Sequence, residues 1–99
     1  MKFTIPKSVP VGSKTYTVTI VDRLSNHARG RTYYETCEIK IAERGIRDIP
    51  FEPQEMFETF WHELLHALLY EFNYAEYEDE RFVSCLGYNL SHAITGAKL

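Results

Sequence analysis

Hydrophobic and polar positions alternate most clearly from Lys14 to Asp22, where Tyr16, Val18 and Ile20 interleave with Thr15, Thr17 and Thr19. A period of two with β-branched residues predicts a half-buried strand. The same alternation recurs in Cys37–Ala42, where Cys37, Ile39 and Ile41 alternate with Glu38 and Lys40. Thr32–Glu35 reads as a partner arm, with a hairpin near Glu35-Thr36. Lys2–Ile5 is a short strand or lead-in, and Pro6, Pro10 and Gly12 break up the region after it. Leu24–Arg31 and Glu43–Glu52 are polar and read as loop and connector.

The period then changes. Met56, Phe57, Phe60, Trp61, Leu64, Leu65, Leu68, Leu69 and Phe72 give a helical repeat that is apolar around most of its circumference. Pro53 suits its first turn, and Glu52, Glu55 and Glu58 suit its positive end. Asn73 can close it. This helix, about 53–72, is expected to be the central element. Tyr74–Glu78 is a short link, of a length that joins antiparallel neighbours. Asp79 can cap a second helix, about 79–95, along which Val83, Leu86, Leu90 and Ile94 recur at helical spacing. Gly87 weakens that helix or lets it approach the first closely. The tail Gly96–Leu99 is expected to fray. The prediction is one α+β domain over 1–99: a small antiparallel sheet from strands within about 1–43, packed on two antiparallel helices.

Composition changes this picture little. The chain has 99 residues, 44% hydrophobic and 14% aromatic, with a net charge of −3. That is enough for one core, and a bound metal would help a domain so small. The acidic balance and the lack of a basic run argue against a nucleic-acid partner. No stretch approaches the ~20 apolar residues of a spanning helix. No signal peptide is evident, so a cytoplasmic protein is expected. Cys37 and Cys85 are too few for a disulfide framework and lack C-x-x-C spacing, so both are expected reduced and half-buried.

The candidate chemistry lies in the first helix. His62-Glu63-Leu64-Leu65-His66 is H-E-x-x-H. Residues four apart share a helix face, so His62 and His66 can offer two imidazoles to one metal ion. Glu63 is then placed to act as a general base on water. Four histidines and eleven glutamates give this pattern by chance about once or twice in a hundred such compositions. A third ligand must come from elsewhere, and Glu76, Glu78, Asp79, Glu80 and His92 are the candidates. Glu80 is the best placed, because it shares the stripe of Val83 and Gly87 in the first turn of the second helix. Glu76 and Glu78 read as solvated, and His92 as a surface or capping residue.

His62–Tyr70 (H-E-L-L-H-A-L-L-Y), followed at short range by Glu80–Gly87 (E-R-F-V-S-C-L-G), resembles the gluzincin branch of the zincin metallopeptidases in minimal form. The arrangement is similar to small metallopeptidase-like proteins of bacteriophages. The resemblance implies Zn2+ held by His62, His66 and Glu80, Glu63 as catalytic base, and hydrolysis of a peptide or protein substrate. If the chain is phage-encoded, that would take place in the host cytoplasm. It also implies an edge strand beside the helix that pairs with extended substrate, for which Glu38, Ile39, Lys40 and Ile41 are the best match. Ser84 stands where that family often carries an acid that orients a histidine ligand. A second stabiliser of the oxyanion is usual there, and Tyr70, Tyr74, Tyr77, Tyr88 and His92 are available. A different class of function fits the same motif: a non-catalytic metal-binding module acting through protein–protein contacts. A third is a metal-dependent hydrolase of non-peptide substrates.

Overall fold

The computed structural model describes residues 3–98. Its elements are β1 (Ser8–Val11), β2 (Lys14–Val21), β3 (Gly30–Tyr33), β4 (Glu38–Ala42), α1 (Pro53–Glu71) and α2 (Glu80–Gly96). Short 3-10 turns occupy Ser25–His27, Ile46–Asp48 and Ala75–Glu78. The class is α+β, as the periodicities imply.

The sheet order is β1-β2-β4-β3. β1 and β3 are antiparallel to their neighbours, but β2 and β4 run parallel, so the sheet is mixed rather than wholly antiparallel. The β3–β4 hairpin forms as expected, and β4 is the strand that docks on β2. The reason lies in the face turned to α1. β4 offers Ile39 and Ile41 there, both fully buried, whereas the β3 positions paired with them are Thr32 and Gly30. Large apolar side chains take the centre and small ones the rim.

Of the two readings of Lys2–Ile5, strand or lead-in, the described part takes the second. Lys2 lies outside the described residues, and Phe3–Ile5 is not a strand, although Phe3 packs edge-on to Phe57. The first strand is instead Ser8–Val11. Pro10 is tolerated in it because β1 is an edge. Gly12, with φ +63°, makes the tight turn that brings Val11 opposite Lys14.

The core joins Val11, Tyr16, Val18, Ile39 and Ile41 of the sheet to Phe60, Leu64 and Ala67 of α1. α1 packs on the sheet with one face and on α2 with another. Its start is closed by the Glu52 N–H, which donates to Glu55 Oε1 at 2.9 Å. Its end turns at Asn73, whose φ of +63° is left-handed. Asp79 caps α2 by accepting from the Phe82 N–H at 3.0 Å.

The expected stripe of Val83 and Gly87 is the face that α2 buries, but the apolar repeat as a whole is not. Val83, Gly87 and Ser91 are buried, while Leu86 and Ile94 are exposed. A Cβ on Gly87 would stand 3.2 Å from the His62 Cα, so the smallest residue marks where the helix backbones meet. Close approach turns α2 onto its small residues and leaves Leu86 outside. Cys37 is half-buried as expected, but Cys85 is exposed. Among the described residues no helix is long and apolar enough to cross a membrane.

Candidate metal centre

The helical turn places His62 Nε2 and His66 Nε2 3.1 Å apart. The close crossing at Gly87 and the Asp79 cap bring the first turn of α2 over them. Glu80 Oε2 then lies 3.1 Å from His62 Nε2, and Glu80 Oε1 lies 2.9 Å from His66 Nε2. Zinc bonds of about 2.0–2.2 Å at tetrahedral angles put ligand atoms about 3.3–3.5 Å apart. The observed spacings are slightly tighter, and the Glu80 side chain, 69% exposed, has room to relax outward.

Donor chemistry supports the same conclusion. His66 Nδ1 lies 2.6 Å from the Tyr77 carbonyl oxygen, so that nitrogen donates. The Nε2 of the neutral ring therefore presents a lone pair, and it faces the Glu80 carboxylate and the second imidazole nitrogen. In this tautomer a neutral His66 has no Nε2 proton to give to either neighbour. A cation at the centre satisfies all three at once. Among the described residues, His62, His66 and Glu80 are the group that could hold a metal ion.

Glu63 is buried beside them. Its Oε2 is 3.9 Å from His62 Nε2. Its Oε1 lies 2.8 Å from the Thr32 hydroxyl, which is also 3.0 Å from the Glu63 carbonyl oxygen. One carboxylate oxygen is thus held by β3 and the other is turned to the histidine side. Burial pushes the Glu63 carboxyl above the ordinary carboxylate range, against the opposing effect of the Thr32 hydrogen bond and the two histidines. β3 also comes close to the helix at Gly30. A Cβ there would lie 2.6 Å from Thr59 Cγ2 and 2.9 Å from Glu63 Cγ, so only glycine fits without displacing the Glu63 side chain.

These groups open into a cleft of ≈ 730 Å³. β3 and its flanks form one wall, and the other carries Glu58, Tyr77, Glu78, Glu80, Ser84 and Tyr88. Tyr34 stands on the β3 side. Burial, with Glu63 the next contributor, pushes its phenol up to about 12, so it remains protonated at neutral pH.

The expected strand beside the site needs correction. Glu38, Ile39, Lys40 and Ile41 lie in β4, whose two edges are taken by β2 and β3, so they cannot accept another strand. The edge strand at the cleft is β3. Alternation alone could not show this, because it reports which face is buried and not which neighbour is missing.

The other candidates are dispersed. Glu76 and Glu78 are exposed, and Asp79 is engaged as a cap. His92 pairs with Glu58 at 2.8 Å and packs against the Tyr88 ring at 4.2 Å, away from the cluster. Tyr77 and Tyr88 line the cleft. Ser84 is exposed in the cleft, and the group that His66 Nδ1 meets is the Tyr77 carbonyl. Thr32, Gly30 and Tyr34 carry no motif that marks them in the sequence. They share one parity on β3 and its continuation, a signal that becomes readable only once β3 is known to lie beside α1. No protein-family model, curated protein or solved structure matches the chain.

Proposed function

We propose that this chain is a zinc-dependent metallopeptidase. The observation that carries the proposal is the convergence of His62, His66 and Glu80 within 4.8 Å beside the carboxylate of Glu63 in an open cleft. Two imidazoles and one carboxylate form a donor set that suits zinc and leaves a position for water. Zinc there would supply a Lewis acid that lowers the pKa of water towards ~7 and polarises a carbonyl.

The chain's own residues have separate tasks. Glu63 takes a proton from the attacking water and passes it to the leaving amine. Thr32 holds one Glu63 oxygen so that the other stays turned inward. β3, at the sheet edge, is placed to align an extended substrate by main-chain pairing.

Elemental analysis of the purified protein, with a peptide-library cleavage assay, tests the proposal. About one zinc per chain with metal-dependent cleavage is expected. Stoichiometric zinc without cleavage would replace it with the non-catalytic module. No zinc, even after reconstitution, would remove both readings.

A second expectation concerns Gly30. Gly30→Ala pushes on Thr59 and Glu63, and displacing a reacting group by about 1 Å can cost roughly 100-fold in rate. Cleavage by Gly30→Ala should fall by about that factor while zinc content holds. A wild-type rate would show that the strand does not set the position of Glu63.

A further inference from the structure

We infer that Tyr34, Tyr70 and Tyr77 form an aromatic clamp that positions the metal ligand His66 through the Tyr77 carbonyl. The inference rests on reading His62, His66 and Glu80 as metal ligands, and not on peptide hydrolysis.

The three rings come from three parts of the fold. Tyr34 comes directly after β3, Tyr70 lies one turn beyond His66 on α1, and Tyr77 belongs to the Ala75–Glu78 turn. All three pairs are in contact. Tyr34 stacks on Tyr70 with centroids 4.2 Å apart, and Tyr77 meets Tyr34 edge-on at 5.6 Å and Tyr70 at 5.2 Å. Offset and edge-on contacts of this kind are favoured by the ring quadrupoles and fix relative orientation.

The turn needs such a hold. Ala75, Glu76 and Glu78 are exposed, and Tyr77 is the half-buried member of the turn. Its carbonyl nevertheless accepts from His66 Nδ1 at 2.6 Å, a contact that sets both the tautomer and the ring plane. A carbonyl on a solvated one-turn link would wander, and with it the direction of the His66 lone pair. Seating the Tyr77 ring edge-on against the stacked pair of Tyr34 and Tyr70 holds the link at a fixed height above α1. The clamp thus does for His66 what an acidic side chain near Ser84 would otherwise do. The contacts among the three rings are between faces and edges, so for Tyr34 and Tyr70 ring shape is what the clamp uses.

The test is zinc affinity of the full chain, measured by competition with a chromophoric chelator. Groups that orient a metal-ligating histidine typically account for about 10–100-fold in metal affinity. Tyr34→Leu and Tyr70→Leu should each weaken zinc binding by at least about tenfold. Tyr34→Phe and Tyr70→Phe should stay within about twofold of wild type, because they keep the rings. The His66 Nδ1–H signal, followed by NMR, should persist in the Phe variants and be lost to solvent exchange in the Leu variants. Tyr70 sits at the more exposed end of the cluster, so Tyr70→Leu decides the matter if Tyr34→Leu does not fold. Leu variants that bind zinc as tightly as wild type would overturn the clamp alone. Phe variants as weak as the Leu variants would also overturn it, because the hydroxyls would then be the active groups. A wild-type chain that takes up no zinc would remove the metal reading, and the clamp with it.

Discussion

Glu63→Gln is expected to abolish peptide cleavage while the zinc stays bound. Glutamine keeps the shape of the side chain, and its amide oxygen can still accept from Thr32, which holds Glu63 Oε1 at 2.8 Å. What it loses is the ability to take a proton. Removal of a positioned general base costs about 10²–10⁴-fold in rate, enough to bring a small peptidase to background. Zinc should remain at wild-type stoichiometry, because Glu63 is not one of the three residues grouped as ligands. The fold should not suffer. Glu63 is 7% exposed, and replacing a desolvated carboxylate with a neutral amide removes a charge that burial disfavours. A melting temperature at or above that of the wild type is therefore expected alongside the lost rate. Cleavage at the wild-type rate would show that Glu63 is not the base. Loss of zinc would show that it is a ligand.

The second large effect is on stability, and it comes with removal of the metal. A ligand held about a thousandfold above its Kd adds about 4 kcal/mol to the folded state. In a domain of about 100 residues each kcal/mol moves the melting temperature by about 4–8 °C. Chelation should therefore lower the melting temperature by more than about 10 °C. A metal held by His62, His66 and Glu80 would tie α1 to the first turn of α2, so the loss should begin in α2 and the Ala75–Glu78 turn. Exchange of backbone amide hydrogens would locate it. His66→Ala should behave like the chelated protein and lose somewhat more. Its imidazole is buried, and deleting it also removes the partner of the Tyr77 carbonyl. Glu80→Ala, at an exposed position, should lose zinc with little further cost to the metal-free fold. An unchanged melting temperature after chelation, or His66→Ala retaining full zinc, would show that the cluster is not a metal site.

How much of the site is legible in the residues depends on how local each feature is. H-E-x-x-H is local, because helical geometry alone brings His62 and His66 within reach. The choice of Glu80 requires one further step, an antiparallel second helix after a short link, and both link and cap can be read from Tyr74–Asp79. For the strand beside the site, alternation points to the wrong segment. Glu38–Ile41 has the clearest alternation after Lys14–Asp22, and that clarity marks it as a central strand with a large apolar face. β3 carries Gly30 and Thr32 on that face and reads as weak, which is what an edge beside a polar cleft requires. Leu86 and Ile94 mislead in a similar way. They are periodic and apolar, yet helix contact is governed by the smallest residue, and Gly87 turns α2 away from them.

From the sequence alone came the α+β class, the two helices with their ends, and the candidate ligand pair His62 and His66 with its neighbouring carboxylate. These rest on backbone periodicity, capping and spacing along one element, all interactions over a few residues. The tertiary structure alone decided the parallel pairing of β2 with β4, the edge position of β3, the Thr32 contact to Glu63 and the Tyr77 carbonyl behind His66. Each of these joins residues far apart in the chain, and which distant partners meet is set by how the buried faces fill space together.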